Sequence, residues 1–397
     1  MIPNCTKGTR MGRGTRSSIF WIVAFLAAAS ACNWHPISRA LTWYGYIDAS
    51  GKTVIPVHYS NARSFSEGLA AVQVDDRWGY IDRAGRPVIP PQFVNAREFH
   101  DGRALVEIAA DDWHYIDPSG RIVPGVQVKW SIQGRRFSEG LAAVFIEDRR
   151  RFACLRSIDQ EIRLEPRERA YVYPEFCGRW GYIDADGAFA IQPAFIEAYE
   201  FSEGLAVVRV QDLAVSDQRG WRYGYVDRSG ALAIPARFDK AFEFSEGLAR
   251  VGVQDSYGFI TRDGKWLAEA SFEEAGDFHE GMAAVKVAGR WGCIDRQGRM
   301  AIPAEFARIS RFSEGLAVAS RSGKLGGYID TSGRLIIEER FGVAWPFADG
   351  RARVQIGASG WDWAYIDRAG KPVITRHVKQ GWSFSEGLAL IGNGGPF

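Results

Sequence analysis

In a recurring Phe-Ser-Glu-Gly string and its variants an acid stands directly before the glycine nine times, at Glu67, Asp101, Glu139, Glu203, Glu246, Glu280, Glu314, Asp349 and Glu386. Stacked equivalents of these side chains would form a carboxylate row able to attract Ca²⁺ or a cationic partner. Their setting points elsewhere. One acid per unit in a fixed turn reads as a carboxylate that accepts backbone N–H bonds in its own turn, or pairs with a neighbouring arginine. The Asp of a recurring Asp-x-x-Gly string has the same turn role. A tryptophan also recurs, and its ring could stack on sugar faces, but an aromatic embedded in a strand of every unit reads as core. The histidines (His35, His58, His100, His114, His279, His377) lack metal-ligand spacing. Gly-x-Ser-x-Gly, Gly-x-x-x-x-Gly-Lys-Ser/Thr, His-Glu-x-x-His and Cys-x-x-Cys are all missing from the sequence. The expectation is a protein that is not an enzyme, with no catalytic residue, metal or cofactor. An exported enzyme drawing acids from the turns to act on cell-wall glycans is the alternative.

Arginine concentrates in one place. The regular step from the acid-Gly glycine to the next Trp or Tyr, as in Gly68 to Trp78, is lengthened from Gly140 to Trp180, from Gly204 to Tyr223 and from Gly350 to Trp363. The largest insertion, 147–179, carries Arg150, Arg151, Arg156, Arg163, Arg167, Arg169 and Arg179 with Tyr171 and Tyr173. The next one brings Arg219, Trp221 and Arg222. All three insertions fall in the same hairpin turn, so they leave one edge of the array, and inserts on one face often mark a binding face. Arginines with aromatics suit an envelope protein or an anionic or glycan polymer. A solvated extended hairpin is the plainer reading.

The N-terminus reads as an address. Residues 1–16 hold Lys7, Arg10, Arg13 and Arg16 and no acid, and an apolar run from Ile19 ends in Ala29-Ser30-Ala31. That run is too short to span a bilayer, which takes ~20 residues, and the pattern is that of a secretory signal peptide over 1–31. Met11 would serve as an alternative start. Ala-Ser-Ala-Cys resembles a bacterial lipobox, which implies acylation of Cys32 and a membrane anchor, with 32–42 as a tether. The implied location is the cell envelope. In an oxidising compartment Cys154 and Cys177 could pair or stay free thiols, whereas Cys293 stands where sister units have Tyr and reads as a small buried residue.

What must position these groups is a repeat. Phe-Ser-Glu-Gly, Trp-Gly-Tyr-Ile-Asp and Asp-x-x-Gly recur in nine registers about 34 residues apart. Leu69–Val74 is apolar and too short for a helix, so it reads as a strand, and Trp78–Asp82 is a second strand rich in aromatic and β-branched residues. Asp82-Arg83-Ala84-Gly85 makes a turn in which Gly takes φ > 0. Pro87–Pro90 is a short third strand. One unit is thus a three-stranded antiparallel meander, whose open face is buried by its neighbours. No α-helix of normal length is visible after the leader.

These three marks together resemble the WG-repeat (KWG-repeat) family, over about residues 43–390. The resemblance implies an all-β repeat scaffold, often exported, and no particular reaction or ligand. Departures are Thr261 for Asp, Gly326 for Trp, and His114 and Ala364 for the Gly of Trp-Gly. The array 43–397 begins inside a unit at Tyr44 and ends with the piece that unit lacks, Phe384–Ile391. Nine three-stranded units favour an open β-solenoid or superhelix over a closed, propeller-like ring, whose blades are usually four-stranded and number 4–8. A hydrophobic fraction of 46% with 24% charged residues describes a folded chain, and a net charge of +2, which the leader supplies, sets nucleic-acid binding aside. The reading is a non-catalytic binding or scaffold protein of the bacterial envelope.

Overall fold

The computed structural model describes residues 42–125, 134–147, 178–211, 220–356, 362–375 and 380–393. The leader, the tether and Cys32, Cys154 and Cys177 lie outside the described residues. Every regular element described is a β-strand.

Each unit forms for local reasons. In Ser66-Glu67-Gly68-Leu69, Ser66 and Leu69 exchange backbone hydrogen bonds of 2.9 and 3.1 Å. Both central residues have positive φ, 54° at Glu67 and 78° at Gly68. This is the two-residue mirror-image turn whose twist matches that of the strands it joins. It links a short strand, Asn61–Ala62, to Leu69–Val74, which pairs with Arg77–Asp82. Next, Asp82 Oδ1 accepts the N–H groups of Ala84 and Arg86 at 2.9 Å, and Gly85 takes φ 79°. The fourth strand, Pro87–Phe93, follows and is exposed except at Ile89 and Phe93. The meander expected to have three strands therefore has four in six of the nine sheets. In four of those sheets the additional strand has only two residues, which carry no readable period.

The Gly of Trp-Gly has a steric reason. Trp78 pairs with Phe93 but Tyr80 with Ile89, so the fourth strand bulges across Gly79. A Cβ there would stand 2.5 Å from the Ile89 carbonyl oxygen. Where His114 replaces this glycine, the described fourth-strand pairing shrinks to the Ile116–Ile122 bridge, and where Ala364 does, to Pro372–Ile374.

The units are blades of a ring. Blades 1 to 8 run in chain order (61–93, 95–123, 134–195, 197–238, 240–272, 274–306, 308–341 and 344–374). Blade 9 is built from both ends of the array: Trp43–Asp48 pairs in register with Leu388–Asn393, from Trp43↔Asn393 to Asp48↔Leu388. Nine hydrophobic clusters each straddle one seam. Trp78, Tyr80, Ile89 and Phe93 of blade 1, for example, meet Phe99, Ala104 and Val106 of blade 2. Blade 9 is packed on both sides, against blade 8 through Tyr365 and Ile374 and against blade 1 through Phe65 and Val72. Of the two arrangements compatible with the sequence, the ring is realised and not the open superhelix, because the end strands complete one sheet and every seam is filled. The architecture is a nine-bladed β-propeller.

Candidate functional site

Strand direction places the acid-Gly and Asp-x-x-Gly turns at one end of every blade, the turn face. The hairpins between second and third strands lie at the other end, the hairpin face. At the turn face the nine acids have one shared job. Glu67 accepts the Gly102 N–H at 2.9 Å, Asp101 that of Gly140 at 2.8 Å, and Glu139 that of Gly204 at 2.9 Å. The series continues Glu203–Gly247, Glu246–Gly281, Glu280–Gly315, Glu314–Gly350 and Asp349–Gly387, and Glu386 closes the circle on Gly68 at 3.0 Å. The carboxylates do accept backbone N–H groups, as the turn reading holds. The acceptor site lies in the next blade's turn, not in the acid's own, because the left-handed φ of 49–56° directs each acid along the ring.

Other repeated polar groups join the same seams. Ser66 Oγ donates to the Phe99 carbonyl at 2.7 Å and Ser385 Oγ to that of Phe65 at 2.9 Å. Tyr80 OH donates to the Arg97 carbonyl at 2.7 Å and Tyr365 OH to that of Trp382 at 2.6 Å. Burial pushes these phenol pKa values up, so the hydroxyls stay donors. In the opposite direction Arg228 and Arg296, each following the Asp of Asp-x-x-Gly, donate to the Glu139 and Glu246 carbonyls at 2.7 Å. Cys293 takes the Tyr place in blade 6; it is fully buried, and burial pushes its thiol up to about 12. The tryptophans Trp78, Trp113 and Trp180 are buried in seams and capped by Arg63, Arg97 and Arg135 at 5.3, 5.8 and 5.0 Å.

The insertions leave the hairpin face of blades 3, 4 and 8, between paired strand ends. Arg150, Arg151, Arg156, Arg163, Arg167, Arg169, Tyr171, Tyr173 and Arg219 lie outside the described residues. Arg179, Trp221 and Arg222 stand at the bases of the first two insertions, on adjacent blades. Arg179 donates to the Gly178 carbonyl at 2.8 Å. Arg222 reaches Asp239 at 3.4 Å, and the Arg209 guanidinium lies 4.5 Å from the Trp221 ring centre.

The axis carries groups that sequence reasoning missed. Two cavities, of about 590 and 330 Å³, are lined by first-strand segments of consecutive blades, blades 2 to 4 and blades 4 to 6. The first strands therefore converge on the axis. The residue before each turn Phe differs from blade to blade: Glu98, Arg136, Glu200, Glu243 and Asp277 in blades 2 to 6. Arg136 meets Glu200 at 3.8 Å and Arg250 meets Asp277 at 3.0 Å. Burial first, and then the neighbouring Glu200, raise the Glu243 pKa. On blades 8 and 9, Trp345 and Trp382 are 48% and 41% exposed. The signal for this axis was internal: one position changes sign among units that otherwise repeat. Among the described residues no group of three or more His, Cys, Asp or Glu could hold a metal ion.

A closed ring whose recurrent polar groups are spent on its own seams is a repeat scaffold of the propeller class. The family model described as WG containing repeat matches residues 44–78, 78–109, 180–213, 223–255, 257–291, 291–324, 327–358 and 363–395. These matches cover more than half of the chain, and the chain belongs to this family. Comparison with curated proteins gives no match. Among solved structures, the chain is similar to one of a eukaryotic initiation factor, with 11% identity over 83% of this chain and 94% of that one and a TM-score of 0.52. At that identity the likeness shows the fold alone. Apo AztD from Citrobacter koseri (10% identity, 89% and 100% covered, TM-score 0.42) and BamB from Moraxella catarrhalis (10%, 74% and 87%, 0.37) are weaker likenesses.

Proposed function

We propose that this WG-repeat propeller is a non-catalytic binding scaffold, exported and held in the bacterial envelope through an acylated Cys32. Its hairpin face at blades 3 and 4 engages an acidic envelope protein or an anionic or glycan polymer. The observation that carries the reading is the division of labour between faces. The repeated acids, serines and tyrosines are consumed in the seams, while the arginine-rich insertions leave adjacent blades at the opposite end, from the paired strand ends Glu147–Gly178 and Gln211–Trp221. Electrostatic attraction would make the binding salt-sensitive.

Glu147 pairs with Gly178 at the base of the first insertion, so a two-residue Asp-Gly turn can replace residues 148–177. The trimmed protein is expected to fold and to lose capture of the partners that wild type retains from detergent-solubilised envelope. Equal capture, with equal salt dependence, by a folded trimmed protein refutes the binding face. In the same preparation Cys32→Ser should move the protein out of the membrane fraction, and wild type that fractionates as soluble, with an unmodified cysteine, refutes the anchor.

A further inference from the structure

Beyond that scaffold role, we propose that the cavity lined by blades 2, 3 and 4 binds a small oxyanion, a carboxylate or phosphate compound. The cavity measures about 590 Å³, within the ~300–1,000 Å³ usual for small-molecule sites. Four arginines line it against two glutamates, Glu98 and Glu200. Both glutamates already have a cation, Glu98 from Arg63 at 3.8 Å and Glu200 from Arg136 at 3.8 Å. Arg103 is committed as well: its Nη2 donates to the Ala185 carbonyl at 2.9 Å and its Nη1 to that of Gly102 at 2.9 Å.

Arg97 and Arg135 remain. Neither has a carboxylate or hydrogen-bond acceptor for its guanidinium among the described residues. Both are held by rings instead. Arg97 lies 5.8 Å from the Trp113 ring centre, and Arg135 lies 5.0 Å from that of Trp180 and 4.4 Å from that of Tyr199. Stacking fixes the plane of a guanidinium and leaves its N–H edge open. Tyr115, on the same cavity wall, donates its hydroxyl to the Arg135 carbonyl and so anchors that backbone. Two oriented forks in excess of the local carboxylates match an oxyanion, which each fork can take in two parallel bonds.

The test is calorimetric titration of the folded full chain with galacturonate, inorganic phosphate and neutral galactose. Saturable binding of at least one anion, none of galactose, and a loss of tenfold or more in Arg97→Gln are expected. Arg97 is exposed, so this variant should keep the wild-type near-ultraviolet circular dichroism; Arg97→Lys, which keeps the charge without the fork, should bind between the two. Galacturonate alone identifies a sugar-acid ligand, phosphate alone a phosphorylated one. Absence of saturable binding by either anion, or equal binding in a folded Arg97→Gln protein, overturns the proposal. Replacing residues 148–177 should leave this binding unchanged, so its failure and that of the hairpin face are separable.

Discussion

Replacing Gly292 by alanine tests the stereochemistry on which every complete blade rests. Gly292 is the Gly of Trp-Gly in blade 6, and the bulged fourth strand crosses it. A Cβ would stand 2.4 Å from the Ile302 carbonyl oxygen and 2.8 Å from Pro303 C and Ala304 N. All three are backbone atoms, so no rotamer change relieves the clash. The fourth strand must move by about an ångström, which well-packed interiors resist at ~1–3 kcal/mol. The pairs Trp291↔Phe306 and Cys293↔Ile302 then loosen, at roughly 1 kcal/mol per backbone bond, and the fully buried Phe306 is displaced from its seam. A less flexible unfolded chain returns about 0.4–1 kcal/mol. The expected net loss is about 2–4 kcal/mol, centred on Met300–Phe306. The control is Gly276→Ala, where the nearest contact to a Cβ is 3.8 Å and φ is not positive; it should be neutral or slightly stabilising. Thermal melting with hydrogen exchange read by mass spectrometry reports both quantities. If Gly292→Ala melts with Gly276→Ala and residues 300–306 exchange at the wild-type rate, the steric account of the Trp-Gly motif is wrong.

The circle of acids predicts a different pattern. Glu203→Ala removes the acceptor of the Gly247 N–H while keeping a non-glycine residue at φ 55°, and should cost about 1.5–3 kcal/mol. Glu203→Gly removes the same bond but relieves the left-handed backbone, so it should be about 1 kcal/mol milder than alanine; chemical denaturation giving the opposite order would refute the seam role. For the Asp-x-x-Gly turn, the Ser119 hydroxyl first, and also Arg121, hold the Asp117 carboxyl at about 2, against about 3.9 unfolded. A depressed folded pKa stabilises above the unfolded value and is lost as pH falls through the folded one. Melting temperature should therefore fall between pH 4 and 2 less steeply in Asp117→Asn than in wild type, and parallel curves would count against the turn hydrogen bonds.

Much of the blade was legible in the residues. The glycines of Asp-x-x-Gly were expected at positive φ, and all nine stand between 74° and 85°. The strands Leu69–Val74 and Arg77–Asp82 follow their apolar and aromatic runs. These features are local: a turn bond spans two to four residues, so its chemistry is written beside it. The first strand of blade 1 was not legible, because Asn61–Ala62 is too short for a pattern and owes its pairing to the turn that follows.

By itself the sequence determined the unit, its ninefold repetition, the position of its turns and the edge from which the insertions leave, since each is set by contacts within one hairpin. Only the tertiary structure decided that nine units make a ring. Curvature accumulates from the angle at each seam, and closure needs Trp43–Asp48 to meet Leu388–Asn393 across the whole length of the array. The destination of the acids was decided there too. A carboxylate finds the glycine N–H of the next blade because packing sets that turn alongside, 35 residues on for Glu67 and 318 back for Glu386. The axial arginines and glutamates likewise belong to separate blades, and only convergence of the first strands on one axis makes them neighbours.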